Sequence, residues 1–134
     1  MKVLIIYATN SGSTYEVTKI IESVLDRKHT VTVQKAAESK PADVLGVDLV
    51  LFGSPSWRVG GVEGQIQEIM QEFLDSAKGK LPRGFKFAVF GCGDPDFTHF
   101  CQAVDTIVER LKKEGGALIF EPLKIDGFYF HLEN

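Results

Sequence analysis

Apolar residues arrive along this chain in two rhythms. Short continuous runs at Val3 to Tyr7, Thr30 to Val33, Leu49 to Phe52, Phe85 to Phe90 and Leu118 to Ile125, the last interrupted by Pro122, alternate with stretches of helical spacing. A segment that stays apolar residue after residue hides both of its faces, as strands do in a parallel sheet covered on two sides. Helical spacing gathers Val17, Ile20, Ile21, Val24 and Leu25 into one stripe, Ile66, Ile69, Met70, Phe73 and Leu74 into a second, and Val104, Ile107, Val108 and Leu111 into a third. Ser39 to Leu45, with Pro41 at a first-turn position, has room only for a short helix. The order is βαβαβαβαβ, and right-handed crossovers make it an α/β doubly wound sheet. After Ile125 only "DGFYFHLEN" remains, too short for a full covering helix.

In this class ligands sit outside the carboxyl ends of the strands, near the topological switch point, so the loops to read follow Tyr7, Phe52 and Phe90. The first, "ATNSGST", sets Thr9, Asn10, Ser11, Ser13 and Thr14 around Gly12 as a buried strand passes into a helix. Hydroxyls and backbone N–H groups at a helix start suit a phosphate dianion without a positive side chain. A capping box of Ser13 with Glu16 accounts for one hydroxyl but not for five polar side chains in six positions. The Gly-Lys-Ser/Thr of a P-loop is missing, and "GCGDPD" lacks the third glycine of a dinucleotide fingerprint. A receiver domain of the same topology would need an acidic cluster after the first strand and an Asp after the third, where the chain has neutral residues and "GSPS".

The second loop, "GSPSWRVGG", carries Trp57, and the third, "GCGDPDFTHFC", carries Phe97, His99 and Phe100. Two aromatics presented by neighbouring loops can sandwich a planar ring, while a Phe beginning a long helix more commonly plugs the core. By that logic Trp57 and Phe97 are assigned to a ring, and Phe100 mostly to the core. His99 has no partnered carboxylate, Cys92 no CxxC partner and Cys101 no His at readable spacing, so neither a catalytic pair nor a metal site is indicated.

Composition narrows the picture further. A chain of 134 residues is one domain's worth, and 44% hydrophobic with 25% charged residues is the balance of a globular protein. Apolar runs too short for a bilayer-crossing helix, and an N-terminus without a signal pattern, give a cytoplasmic expectation. A net charge of -3 without a basic stripe argues against nucleic acid and for basic partners.

With "TNSGST", "SPSW" and "FGCGDPDFTHFCQAVD" in this order, the sequence resembles the short-chain flavodoxin family from Met1 to about Gly127. The resemblance implies the strand order 2-1-3-4-5, non-covalently bound FMN and low-potential single-electron transfer to redox partner proteins. On these positions it implies that Thr9, Asn10, Ser11, Gly12, Ser13 and Thr14 cradle the phosphate. Ser54, Pro55 and Ser56 belong to the first flavin loop, with Pro55 and Ser56 along the ribityl chain and Trp57 over the inner ring face. By the same resemblance, backbone groups near Gly93, Asp94 and Cys101 would meet the pyrimidine edge and Phe97 would stack on the outer face, where the family usually has Tyr; Arg58, Cys92 and Phe100 complete the cofactor-binding set. Glu63, Asp94 and Asp96 supply part of the family's acidic surround.

Two departures stand out. Arg58 follows the Trp where the family generally has Gly, and a turn with positive φ there would cost a non-Gly residue about 1–2 kcal/mol, weakening the one-electron-reduced flavin. Its fixed charge would also favour the fully reduced anion. Gly60 and Gly61 would let the turn form one step later. The second departure is the missing last helix, which points to docking of Phe128, Tyr129 and Phe130 on the bare sheet face, to a homodimer, or to a partner chain. Rival readings are an FMN-dependent quinone or NAD(P)H reductase and an FMN-free binding module.

Overall fold

The computed structural model describes residues 1–9, 13–59, 62–93 and 102–126. Strand β1 (Lys2–Tyr7) exposes Lys2 and buries the next five side chains, as its unbroken apolar run requires. It pairs in parallel with β2 (Thr30–Lys35) on one side and with β3 (Leu49–Gly53) on the other. Next to β3 lies β6 (Lys86–Gly93), whose far side takes both β7 (Ala117–Leu118) and β8 (Leu123–Asp126). Sequence reasoning treats the last two as one strand broken at Pro122. Each of them pairs with its own half of β6, so they share one place in the sheet. The resulting order is the expected 2-1-3-4-5.

Alternate residues of the central strands enter two separate cores, which is why their sequences lack a polar face. Leu4, Ile6, Val50, Phe52, Phe87 and Val89 pack under α2 (Glu68–Ala77) and α3 (Gln102–Lys113). Val3, Ile5, Leu49, Leu51, Ala88 and Phe90 face the other way, toward α1 (Ser13–Leu25).

The third stripe behaves as its spacing demands, with Val104, Ile107, Val108 and Leu111 all buried. The first two need correction. On α1 only the centre of the stripe reaches the sheet: Val17 is buried and Ile21 and Leu25 are partly so, while Ile20 and Val24 are 48% and 56% exposed. In the second stripe Ile66 lies outside the helix, in a strand, and Ile69 is exposed; Met70, Phe73 and Leu74 form the buried face. The short helix expected over Ser39 to Leu45 is a 3-10 turn, Pro41–Val44, with Pro41 leading it, and a second 3-10 turn, Ala36–Glu38, precedes it directly after β2.

The main surprise lies between β3 and α2. Where sequence reasoning has a loop and a helix start, the chain forms an antiparallel pair, β4 (Ser56–Val59) with β5 (Val62–Ile66). Ser56 is opposite Ile66 and Trp57 opposite Gln65, and a register shift separates Trp57 from Val59.

Candidate functional site

Parallel register brings the carboxyl ends of three strands to one edge. Tyr7 of β1 pairs with Gly53 of β3, and Gly53 with Phe90 of β6. The Ala8 N–H donates to the Gly53 carbonyl at 2.9 Å, and the Ser54 N–H to the Phe90 carbonyl at 3.2 Å, which extends the ladder into the loops. From β1 the chain crosses to β2 on one side and then returns to β3 on the other, so this edge holds the topological switch point, where such sheets bind ligands.

Two glycines make the close packing here possible. A Cβ on Gly53 would collide with the buried Phe90 ring. One on Gly91 would meet the Val104 side chain and stand 2.6 Å from the Ser54 carbonyl oxygen, a backbone atom that cannot turn away.

Helix α1 starts at this edge, and its first turn contains a buried polar group that is left unmatched among the described residues. Thr14 is fully buried, and among the described residues its hydroxyl has no hydrogen-bond partner. Thr18, one turn on and equally buried, satisfies its own hydroxyl by donating to the Thr14 carbonyl at 2.8 Å. Beside Thr14 lies the Cys92 thiol near the end of β6. Burial pushes that thiol up from its ordinary value of 9.0, and the Thr14 hydroxyl pulls it the other way. The approach of the two groups falls short of hydrogen-bond geometry, so the hydroxyl stays orphaned. A buried polar group without a partner costs about 1–3 kcal/mol, and at a helix N-terminus the ligand that relieves it is an anion. The donor set therefore fits a phosphate group.

Other expected site residues behave differently. Ser54 is wholly buried and its hydroxyl serves the fold, donating to the Pro55 carbonyl at 3.0 Å and accepting the Gln67 N–H at 3.2 Å. Pro55 is buried beside it, and Thr9 is half-buried at the end of β1. Cys92 sits inside the α1-side core, and Gly93 closes β6 opposite Asp126. Ser13 opens α1. Trp57 and Arg58 both lie in β4, whose last residue, Val59, pairs with Val62 of β5. Asn10, Ser11, Gly12, Gly60, Gly61, Asp94, Asp96, Phe97, His99, Phe100, Cys101 and the tail residues Phe128, Tyr129 and Phe130 lie outside the described residues.

The structure adds residues that sequence reasoning misses. Next to Thr9 a cavity of about 180 Å³ is lined by Tyr7, Ala8, Ala36, Gln67 and Ile69, too small for a nucleotide but continuous with the same edge of the sheet. Gln67 caps α2, its Oε1 accepting from the Ile69 and Met70 N–H groups at 2.7 and 3.0 Å. The available signal was a Gln followed by Glu at the head of the second apolar stripe. Tyr7 packs its ring 5.8 Å from that of Tyr15 on α1. Burial, with the nearby Tyr15 and Glu38, raises its pKa above the ordinary 10.0, against a smaller pull from Lys19.

Comparison with known proteins agrees with this geometry. The flavodoxin family profile matches residues 5–128. A flavodoxin of Maridesulfovibrio salexigens is 38% identical over 128 residues, 94% of this chain and 86% of the relative. One from Nitratidesulfovibrio vulgaris is 35% identical over 127 residues, 93% and 84% of the two chains. Among solved structures, oxidised Flavodoxin 2 from Bacillus cereus superposes with a TM-score of 0.84 at 34% identity, covering 94% of this chain and 84% of that one. The chain belongs to the flavodoxin family, electron-transfer carriers that act with redox partner proteins and are not enzymes.

Proposed function

We propose that this protein is a single-electron carrier that holds FMN non-covalently at the carboxyl edge of its sheet. The observation that carries the reading is the orphaned Thr14 hydroxyl in the first turn of α1, at the switch point of the sheet. When bound, FMN supplies a ring that accepts and returns electrons one at a time, so the protein's part is to bind, orient and shield. Thr14, with Thr9, Asn10, Ser11, Gly12 and Ser13, holds the phosphate through hydroxyls and helix-end N–H groups. Trp57 and Phe97 cover the ring from the second and third loops. Pro55 and Ser56 follow the ribityl chain, and Cys92, Gly93, Asp94, Phe100 and Cys101 bound the remaining edge. Gly91 lets β6, from which the third loop leaves, lie against the Ser54 backbone at the start of the second.

The net charge of -3 favours partners with basic docking surfaces, which attract an acidic carrier and release it readily at physiological salt. Among the described residues no helix is long and apolar enough to cross a membrane, in keeping with a cytoplasmic carrier.

The test is to add FMN to the flavin-free chain, follow quenching of flavin fluorescence, and then reduce the complex stepwise without oxygen. Saturation at one FMN per chain, with two resolved one-electron steps, is the expected result. Absence of uptake would leave the FMN-free binding module. Sustained oxidation of NAD(P)H by the loaded protein alone would make it a reductase.

A further inference from the structure

The α1 side of the sheet ends in an exposed apolar patch. In β8, Leu123 pairs with Phe90 and Ile125 with Cys92, and both partners belong to the α1-side core, so the two β8 side chains share that face. Ile125 packs against the core, whereas Leu123 is 49% exposed. Leu118 of β7 joins the opposite core, which turns the next residue, Ile119, to the α1 side, where it is 38% exposed. Helix α1 supplies the facing wall. Tyr15 sets its ring on Tyr7 of β1, and Thr14 lies beside Cys92 of β6. Continuing round the helix in that direction come Val17, Val24 and Ile20, so the flank with the exposed Val24 and Ile20 overlooks the side of the sheet where β8 lies. Exposed aliphatic side chains gathered from a helix and a sheet edge mark a contact surface.

The chain itself brings a matching segment to this place. Residues 127–134 follow β8 directly and read "GFYFHLEN". Asp126 and Gly127 form a turn dipeptide, and beyond it Phe128, Phe130 and Leu132 alternate with Tyr129, His131 and Glu133. That is the period of an extended segment with one apolar and one polar side. The lengths agree as well. Asp126 pairs with Gly93 and Leu118 with Phe87, so the sheet edge is six residue steps high, about 20 Å at a strand rise of about 3.3 Å. Residues 128–133 cover the same height when extended. A segment tethered at the patch acts at an effective concentration on the order of millimolar, which a second copy of the chain in dilute solution does not reach. We infer that the chain turns back at Gly127 and lays residues 128–133 in the trough between α1 and the sheet edge, with Phe128, Phe130 and Leu132 on Leu123, Ile20 and Val24. Tyr129, His131 and Glu133 then face water.

The test uses isotope-labelled full chain with excess FMN present. Nuclear Overhauser contacts are expected from the rings of Phe128 and Phe130 to the methyl groups of Leu123 and of Ile20 or Val24, with the same intensity per chain after tenfold dilution. In a mixture of labelled and unlabelled chains, none of these contacts should pass from one chain to the other. Val24→Ser changes an exposed side chain, so the fold survives it, and it should shift the Phe128 and Phe130 ring signals. Phe130→Ser should abolish the contacts made by Phe128 and Leu132, whereas Tyr129→Ser, on the polar side, should leave every contact in place. Contacts found only between chains would make the patch an interface of two copies and overturn the inference. Ring signals at random-coil positions, or contacts that reach neither Ile20 nor Val24, would overturn it too. A chain that took up no FMN would leave these readouts as they are, so failure of the cofactor reading is told apart from failure of this one.

Discussion

At the scale of single residues, the site is marked by two places where ordinary protein rules are strained. Thr14 keeps a buried hydroxyl unmatched, which stabilises nothing until a ligand arrives. Thr14→Val keeps the shape and removes the polar atom, so its two effects have opposite signs. The flavin-free chain should gain up to about 1–3 kcal/mol in urea unfolding, the usual cost of an unsatisfied buried group. FMN affinity should fall about 10-fold to 100-fold, as expected for a lost hydrogen bond of about 1.5–3 kcal/mol to a charged ligand. Thr14→Ser should retain most of the affinity. If Thr14→Val destabilised the free chain and left FMN affinity untouched, the hydroxyl would be a structural one. Gly91 is the other strained place. Gly91→Ala should lower stability by about 1–3 kcal/mol because the new methyl meets the Ser54 carbonyl as well as Val104. On the proposed reading FMN binding should weaken with it, since relief comes from moving the Ser54 backbone away from β6. Polar crowding around Gly12 was legible in the sequence. The orphaned hydroxyl was not, because which of five polar side chains turns inward depends on how α1 lies on the sheet.

Elements were legible where one physical rule governed them and illegible where two competed. Five parallel positions and the α3 stripe follow from burial alone. The segment from Ser56 to Ile66 has valines at both ends of a Gly-Gly pair, a hairpin signal, yet it also leads into an apolar spacing that suits a helix. The structure divides the two at Gln67: Ile66 closes β5 with its side chain buried, and Gln67 becomes the cap of α2. Glutamine is an uncommon cap, which hid the boundary. Its side chain meets two helix N–H groups and its own N–H meets the Ser54 hydroxyl, so a single residue couples the end of the hairpin, the segment after β3 and the helix. Gln67→Ala should cost about 0.5–2 kcal/mol, the usual range for a lost cap. Amide exchange should speed up first at Ile69 and Met70, and only later at the far end of α2. Uniformly faster exchange along the helix would point to a packing role. On α1 the error ran the other way. Ile20 and Val24 fit the helical period, but a stripe wider than the surface beneath it cannot be buried entirely by the sheet, and periodicity does not report that width.

For the whole molecule, two ionisable groups inside the fold set a limit on the alkaline side. Cys92 lies in the α1-side core and Tyr7 at the switch-point edge, and burial raises both above their ordinary values of 9.0 and 10.0. Well below pH 9 both groups carry their protons in the folded and in the unfolded chain, so their contribution to stability is complete. As pH rises toward 9 and beyond, the unfolded chain releases protons that the native chain still holds. The unfolded state gains, and stability falls until the native groups titrate in their turn. Urea midpoints measured between about pH 7 and pH 10.5 should therefore stay level and then decline, and Cys92→Ala should flatten the first part of the fall. The same burial makes Cys92 inert at neutral pH, since its thiol is protonated and shielded from reagents. Iodoacetamide should label it only as fast as the structure opens, and labelling should accelerate with urea in step with unfolding. Rapid labelling of Cys92 in the native chain at pH 7, or stability that rises from pH 8 to 10, would contradict the packing of β6 against α1.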